Sequence, residues 1–305
     1  PKPRVKTNSE SPIPGILPVM TAKSLNSASI CLFNDGHEVP LPKVATAIEE
    51  RGFDGLFLPE NTHMPINRRQ NLEFDDERLR ALSGFFDPFV ALSAAAAVTK
   101  RIKLGTSVCL LTHRDVLITA KAAASLDHIS EGRLVLGVAG GLIAEAMENH
   151  GSPFKERWKI VREKCHALRH IWEEDIAAYE GDYVNFTHSH SYPKPYKKAG
   201  PPLWIGSNSA AVPGRVADYA DGWIVFNGRY KGDAIPDLEY ACEQQGRDFN
   251  EITVSLMDPP HDAAGVEGFL ERGFDKLIFI VRAGEFAAIE NQLDSLTETI
   301  ERFRD

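Results

Sequence analysis

The chain has 305 residues, of which 43% are hydrophobic and 25% charged, a globular composition with material for one large core or two ordinary ones. Its net charge of −9 is spread along the sequence, and no Lys/Arg cluster offers a footprint for a phosphate backbone, so nucleic acid is excluded as an expected partner. Cys31, Cys109, Cys165 and Cys242 lie far apart without zinc-site spacing, the apolar stretch 89–98 is too short for a bilayer, and the first residues lack a signal peptide's layout; a cytoplasmic protein with reduced thiols and no membrane contact is expected.

Residues 1–26 are rich in Pro, Ser and Lys and show no period, as in an N-terminal arm that packs on a surface or a partner subunit; Met20 within it is a candidate native start. From residue 27 to 305 short apolar segments alternate with helical ones, the pattern of a parallel sheet with crossover helices. Strands are expected at 29–33, 55–58, 102–108, 134–138, 203–205, 222–226, 253–256 and 276–281, the number that closes a (β/α)8 TIM barrel, an α/β fold in one domain. Helices fit between them, for example at 41–51, 88–99, 117–128, 155–174, 212–219 and 285–303, each ending near Gly or a polar turn. Two long connections remain, 65–87 after the second strand and 175–200 before the fifth, and both are expected to overhang the C-terminal mouth, the first as a lid or as a plain solvated loop.

In such a barrel chemistry sits on the loops after each strand. After the second strand come Glu60, Asn61, Thr62 and His63, where His63 is either an acid/base group near neutral pH or a loop histidine bonded to backbone. The third strand ends in Gly105, Thr106, Ser107 and Val108, small enough for a planar ring to approach the backbone, though ordinary strand sequence as well. After the fourth strand, Ala139, Gly140 and Gly141 expose backbone N–H groups without the spacing of a dinucleotide fingerprint. After the fifth, Gly206, Ser207, Asn208 and Ser209 open a helix near Ala210, either as an N-cap alone or as a phosphate cradle. His188 and His190 alternate on one strand face but lack a third ligand, so no metal is expected.

The ordered segments LPENTHMP, DPFVALSAAAAVTKRIKLGTSVCLLTHRDVLITAKAAASLDHISEGRLVLGVAGG, YPKPYKKAGPPLWIGSNS and ADGWIVF resemble the luciferase-like monooxygenase superfamily, nearest to its branch that uses the deazaflavin coenzyme F-420. The resemblance covers nearly the whole chain from about residue 27 and implies a barrel of the bacterial-luciferase type, usually a homodimer, with a flavin-like tricycle at the mouth. It further implies that Thr106, Ser107 and Val108 pack on the ring, often through a non-prolyl cis peptide here at Ser107–Val108, that Ala139 and Gly140 turn beneath it, and that Gly206, Ser207 and Asn208 carry the cofactor phosphate.

Two positions depart from the family pattern. Where the family commonly has a His that acts as acid or base, this chain has Asn61, which hydrogen-bonds but does not titrate, so proton transfer falls to His63, Glu60 or water. Leu142 stands where Trp or an acid is usual. Three functions follow as expectations: hydride transfer between the deazaflavin and a small organic substrate; an FMN-dependent monooxygenase fed by a separate flavin reductase; or a non-catalytic flavin-binding barrel, for which Asn61 is the motive.

Overall fold

The computed structural model describes residues 24–34, 39–69 and 75–304; the expected arm up to residue 23, with Met20, and residues 70–74 of the first insertion lie outside the described residues. Strand and helix alternate as β1 (Ser27–Phe33), α1 (Leu41–Glu50), β2 (Gly55–Leu58), α2 (Asp76–Leu82), α3 (Pro88–Val98), β3 (Lys103–Thr106), β4 (Cys109–Leu110), α4 (Val116–Ile129), β5 (Leu134–Ala139), α5 (Ala144–Asn149), α6 (Arg157–Glu173), β6 (Ile176–Glu180), β7 (Asn185–His190), β8 (Leu203–Gly206), α7 (Val212–Tyr219), β9 (Gly222–Phe226), α8 (Ala234–Gln245), β10 (Thr253–Met257), α9 (Ala263–Glu271), β11 (Lys276–Arg282) and α10 (Phe286–Ile300). Parallel pairings run from β1 through β2, β3, β5, β8, β9, β10 and β11 back to β1, so the barrel closes.

The predicted strand at 102–108 is divided. β3 ends at Thr106, the Ser107–Val108 peptide is cis, and β4 continues beyond it against β5.

Inward side chains form their own cluster of Cys31, Phe57, Val135, Ile224, Met257 and Ile278, separate from the larger core between strands and helices. That interior is filled, as small barrels require. The rings of Phe57 and Trp204 stack with centroids 6.0 Å apart, and a β-carbon at Gly105 would meet the Phe57 ring at 2.2 Å. At Gly137 a β-carbon would lie 2.1 Å from Thr106 O, so only glycine lets β5 pass this close to β3.

The two insertions part company. The described residues of segment 65–87 stay at the mouth: Phe85 meets Phe33 edge-on, Asn34 Nδ2 donates to Gly84 O at 2.9 Å, and Arg69 bridges to Glu145 and Glu148 of α5. Segment 175–200 does not overhang the mouth, contrary to expectation. β6 and β7 form an antiparallel hairpin that doubles back along α6, and residues beyond it close under the opposite end of the barrel. There Tyr196 N donates to the Asp127 carboxylate at 2.9 Å and Lys194 Nζ to Ile171 O at 2.8 Å. The reason is connectivity: α6 runs away from the mouth, so whatever follows its last turn begins at the far end.

A two-stranded hairpin is marginal alone; this one buries Ala177 and Val184 in the core, and its turn is tied to α6 by a carboxylate. Glu163 of α6 accepts the N–H groups of Asp182, Tyr183 and Val184 at 3.1, 2.8 and 2.5 Å. Replacing Glu163 with Ala is expected to remove about 1–3 kcal/mol of local stability; hydrogen exchange should accelerate across 176–190 while the barrel strands stay protected, and uniform protection in the variant would contradict the assignment.

Candidate active site

Glu60 leaves β2 pointing inward and is nearly buried, 6% exposed. Its Oε2 accepts Leu110 N at 2.7 Å, and its Oε1 accepts Arg114 Nε at 2.7 Å. Arg114 also reaches Asp87 Oδ2 at 2.5 Å, and Asp87 caps α3 by accepting Phe89 N and Val90 N at 2.9 and 3.1 Å. Burial alone would lower the Arg114 pKa, but Glu60 and Asp87 hold it above its ordinary value. Both Glu60 oxygens thus accept hydrogen bonds that tie the end of β2 to the segment after β4, and Glu60 anchors the mouth.

Asn61 donates through Nδ2 to Leu82 O at 3.3 Å and ties the mouth to α2. The next residue, Thr62, gathers three histidines from three loops. Its Oγ1 lies 2.9 Å from His63 Nδ1, 3.0 Å from His150 Nε2 and 3.4 Å from His113 Nδ1. The His113 and His150 rings stack at 4.8 Å with planes 17° apart, and His63 Nε2 faces Asn149 Nδ2 at 2.9 Å. His113 is carried by the turn after β4, which Lys164 fixes by donating to Leu111 O and Arg114 O at 2.9 and 2.6 Å. Burial, and then the neighbouring His150, His63, Arg114 and Lys164, pull the His113 pKa down to about 4; His150 is lowered as well, by burial first. Sequence reasoning placed His63 here and missed His113 and His150.

Across the mouth, the bulge at Ser107 and Val108 faces β8. A β-carbon at Gly206 would sit 2.3 Å from Val108 Cγ1, so β8 must end in glycine to admit the bulge. Val108 joins Phe33, Phe226 and Ile280 as half-buried apolar side chains above the interior cluster. Ser107 Oγ, buried beside the Cys31 thiol, has no hydrogen-bond partner of ordinary geometry among the described residues. A buried hydroxyl without a partner costs about 1–3 kcal/mol, and a polar ligand atom at the mouth would remove that cost. Thr106 lies below, donating its hydroxyl to Gly137 O at 2.6 Å.

The loop after β8 is built differently from an N-cap. α7 begins at Val212, its first turn has no side-chain cap, and Asn208 Oδ1 instead accepts Phe226 N at 3.0 Å while Ser207 O accepts Trp223 Nε1 at 2.8 Å. The expected capping role of Ser207 and Asn208 is therefore replaced by bonds to β9, because three further residues, Ser209, Ala210 and Ala211, separate them from the helix. Beside this loop stand two arginines that sequence reasoning also missed. Arg215 donates to Ser209 Oγ at 3.1 Å and stacks 4.3 Å over the Trp158 ring; Arg157 stacks 4.1 Å over Phe154 and packs against Gly140. Neither has a carboxylate partner among the described residues, and burial lowers both pKa values. Half-buried guanidinium groups with free donors next to an open loop suit an anion.

A buried hydroxyl without a partner, an apolar rim and an anion-seeking pair around a barrel mouth fit a planar cofactor with an anionic tail. The model of the luciferase-like monooxygenase family matches residues 40–267. The chain belongs to that family. It is an oxidoreductase on the family's barrel. An uncharacterized protein of Mycobacterium tuberculosis (strain ATCC 25618 / H37Rv) is 35% identical over 64% of this chain and 70% of its own. An F420-dependent glucose-6-phosphate dehydrogenase of Intrasporangium calvum is 28% identical over 67% of this chain and 60% of its own. Among solved structures, the monooxygenase RslO1 from Streptomyces bottropensis superposes with a TM-score of 0.75 at 16% identity, covering 90% of this chain and 99% of that one. An F420-dependent secondary alcohol dehydrogenase in complex with an F420-acetone adduct gives 0.72 at 16% identity, over 93% and 100%. At these identities the two structures share the fold. His188 and His190 lie on the exposed β7, and no group of three His, Cys, Asp or Glu among the described residues is arranged to hold a metal.

Two expectations follow from the electrostatics of this luciferase-like site. Glu60→Gln leaves the Arg114 charge with only the more exposed Asp87 as counter-charge, so urea unfolding should show a loss of about 1–3 kcal/mol; an unchanged midpoint would mean that the pair is decorative. His113 takes its proton near 6.5 when unfolded and near 4 when folded, so the unfolded chain binds more protons between those values and stability falls as pH drops through that window. His113→Gln should lose less stability than wild type between pH 7 and pH 4, by up to about 3 kcal/mol. Parallel pH dependence of the two midpoints would refute the shift.

Proposed function

We propose that this luciferase-like protein transfers a hydride between the deazaflavin coenzyme F-420 and a small organic substrate bound at the barrel mouth. The observation that carries the proposal is the buried Ser107 hydroxyl, which has no hydrogen-bond partner of ordinary geometry among the described residues, at a mouth with an apolar rim where Arg157 and Arg215 also lack a carboxylate partner among the described residues. Curated relatives named as F420-dependent dehydrogenases, 28–31% identical over half or more of the chain, support the same choice.

When bound, the deazaflavin supplies the hydride chemistry. The chain's own residues do the rest. Val108 and Phe226 offer an apolar bed, Thr106 and Ser107 edge it, and Ala139 and Gly140 shape the turn under it. Gly206, Ser207 and Asn208, with Arg157 and Arg215, are suited to the anionic tail. Asn61 positions by hydrogen bonding alone, and titratable groups come from the histidines around Thr62.

The test is a fluorescence-quench titration of the purified protein with coenzyme F-420 and, in parallel, FMN. F-420 should bind at least tenfold more tightly than FMN, and Arg215→Ala should weaken it by roughly tenfold or more, since a charge-assisted hydrogen bond contributes about 1.5–3 kcal/mol. Tight FMN binding with indifference to F-420 would replace the proposal with a monooxygenase that uses reduced flavin and oxygen. Binding of neither would favour a non-catalytic barrel.

A further inference from the structure

Thr62 Oγ1 stands within hydrogen-bonding reach of three imidazoles, yet it has one proton to give and two lone pairs. At most one ring nitrogen can accept from it, so the others must donate to it or let go. The tautomers of His63, His113 and His150 are consequently linked: a change of protonation at one ring changes which of its neighbours can hold the hydroxyl. Direct ring contacts reinforce the linkage, with centroids 4.8 Å apart for His113 and His150 and 5.4 Å for His63 and His150.

The three rings differ in their access to water. His150 is exposed, His63 half-buried, and His113 only 8% exposed beside the Gly140–Gly141 turn, where its Nε2 lies 3.7 Å from the point at which a side chain on Gly141 would begin. The surrounding charges are already occupied. Glu60 is held by Arg114 and Leu110 N, Arg114 also by Asp87, Lys164 by two carbonyls, and Glu145 and Glu148 by Arg69. A proton that enters at His150 therefore has the Thr62 hydroxyl and the other two rings as its onward partners.

We infer that Thr62 with His63, His113 and His150 forms a proton relay from solvent to the barrel mouth, supplying the acid/base function that Asn61 cannot. This rests on the hydride-transfer function proposed above. In the oxidation of an alcohol, the C–H bond breaks with its electron pair going to the deazaflavin as hydride. The O–H bond breaks with its proton going to the relay and out through His150, and a carbonyl remains. Reduction of a carbonyl runs the same exchange backwards. Thr62, His63, whose Nε2 faces Asn149, and His150 act through His113 and are positioning residues; His113, buried beside the Gly140–Gly141 turn, is the end nearer the mouth.

The relay is tested by histidine NMR on 15N-labelled full-length protein, first without cofactor and then with added coenzyme F-420. In wild type the three imidazoles are expected to titrate together, each ring's resonances moving when another takes a proton. Thr62→Val, which keeps the shape and removes the hydroxyl, should separate them into independent titrations; Thr62→Ser should restore the linkage, which distinguishes loss of the hydroxyl from loss of fold. On F-420 addition the His113 resonances should shift, with His63 and His150 following in wild type and Thr62→Ser but not in Thr62→Val. Independent titrations in wild type overturn the relay. Linked rings that do not respond to bound F-420 overturn its role at the site. Failure to bind F-420 at all overturns the hydride-transfer function and the catalytic use of the relay, while the cofactor-free titration still reports whether the rings are linked.

Discussion

The mouth of this barrel is organised by one buried ion pair. Glu60 and Arg114 join the end of β2 to the segment after β4, and Asp87 extends the link to the start of α3. Two residues beyond Glu60 stands Thr62; immediately before Arg114 stands His113. Fixing the pair therefore fixes the approach of the hydroxyl to the imidazole, and the third ring, His150, is added by the turn that ends α5. A buried pair of this kind contributes little net stability over an apolar replacement, but losing one partner is costly. Its value here is geometric, since it holds two loops in register where neither is part of a regular ladder.

The barrel was legible in the sequence because its strands are short, apolar on both sides and spaced by helices, a pattern that few other folds share. All four residues of β2 and all six of β5 are buried, as the runs GLFL and LVLGVA imply. The hairpin of β6 and β7 was not legible. The sequence NFTHSH carries no buried face, and five of its six residues are exposed or nearly so. Its turn is held by Glu163, some twenty residues earlier in the chain, and a carboxylate on a helix surface does not announce which backbone it will accept.

The site was legible where it depends on backbone and hidden where it depends on convergence. Gly206, Val108 and Ser107 follow from strand ends and small residues. The histidines do not: Thr62 meets His113 across 51 positions and His150 across 88. Each lies in a connection on the mouth side of a strand, which is the one clue the sequence offers, and single loop histidines are common enough to carry no weight alone. Arg157 and Arg215 were hidden for the same reason, being ordinary helix residues until the fold sets them beside Gly140 and Ser209.

The two sides of the mouth carry opposite electrostatic instructions. On the side of β5 and β8, Arg157 and Arg215 have no carboxylate partner among the described residues and are suited to an anion. On the side of β2 and β4, burial first, and then the neighbouring imidazoles and cations, disfavour a resting proton on His113 and His150. These two imidazoles are thus kept neutral, and they do not compete with the arginines for the anionic end of a ligand. An imidazole whose pKa is depressed rests neutral near neutral pH, takes up a proton only transiently and releases it readily. A cofactor oriented by its charge on one side and a substrate served by transient protons on the other require only that the two groups of residues stay apart, and the filled interior beneath them, from Phe57 to Trp204, supplies the rigidity that keeps them so.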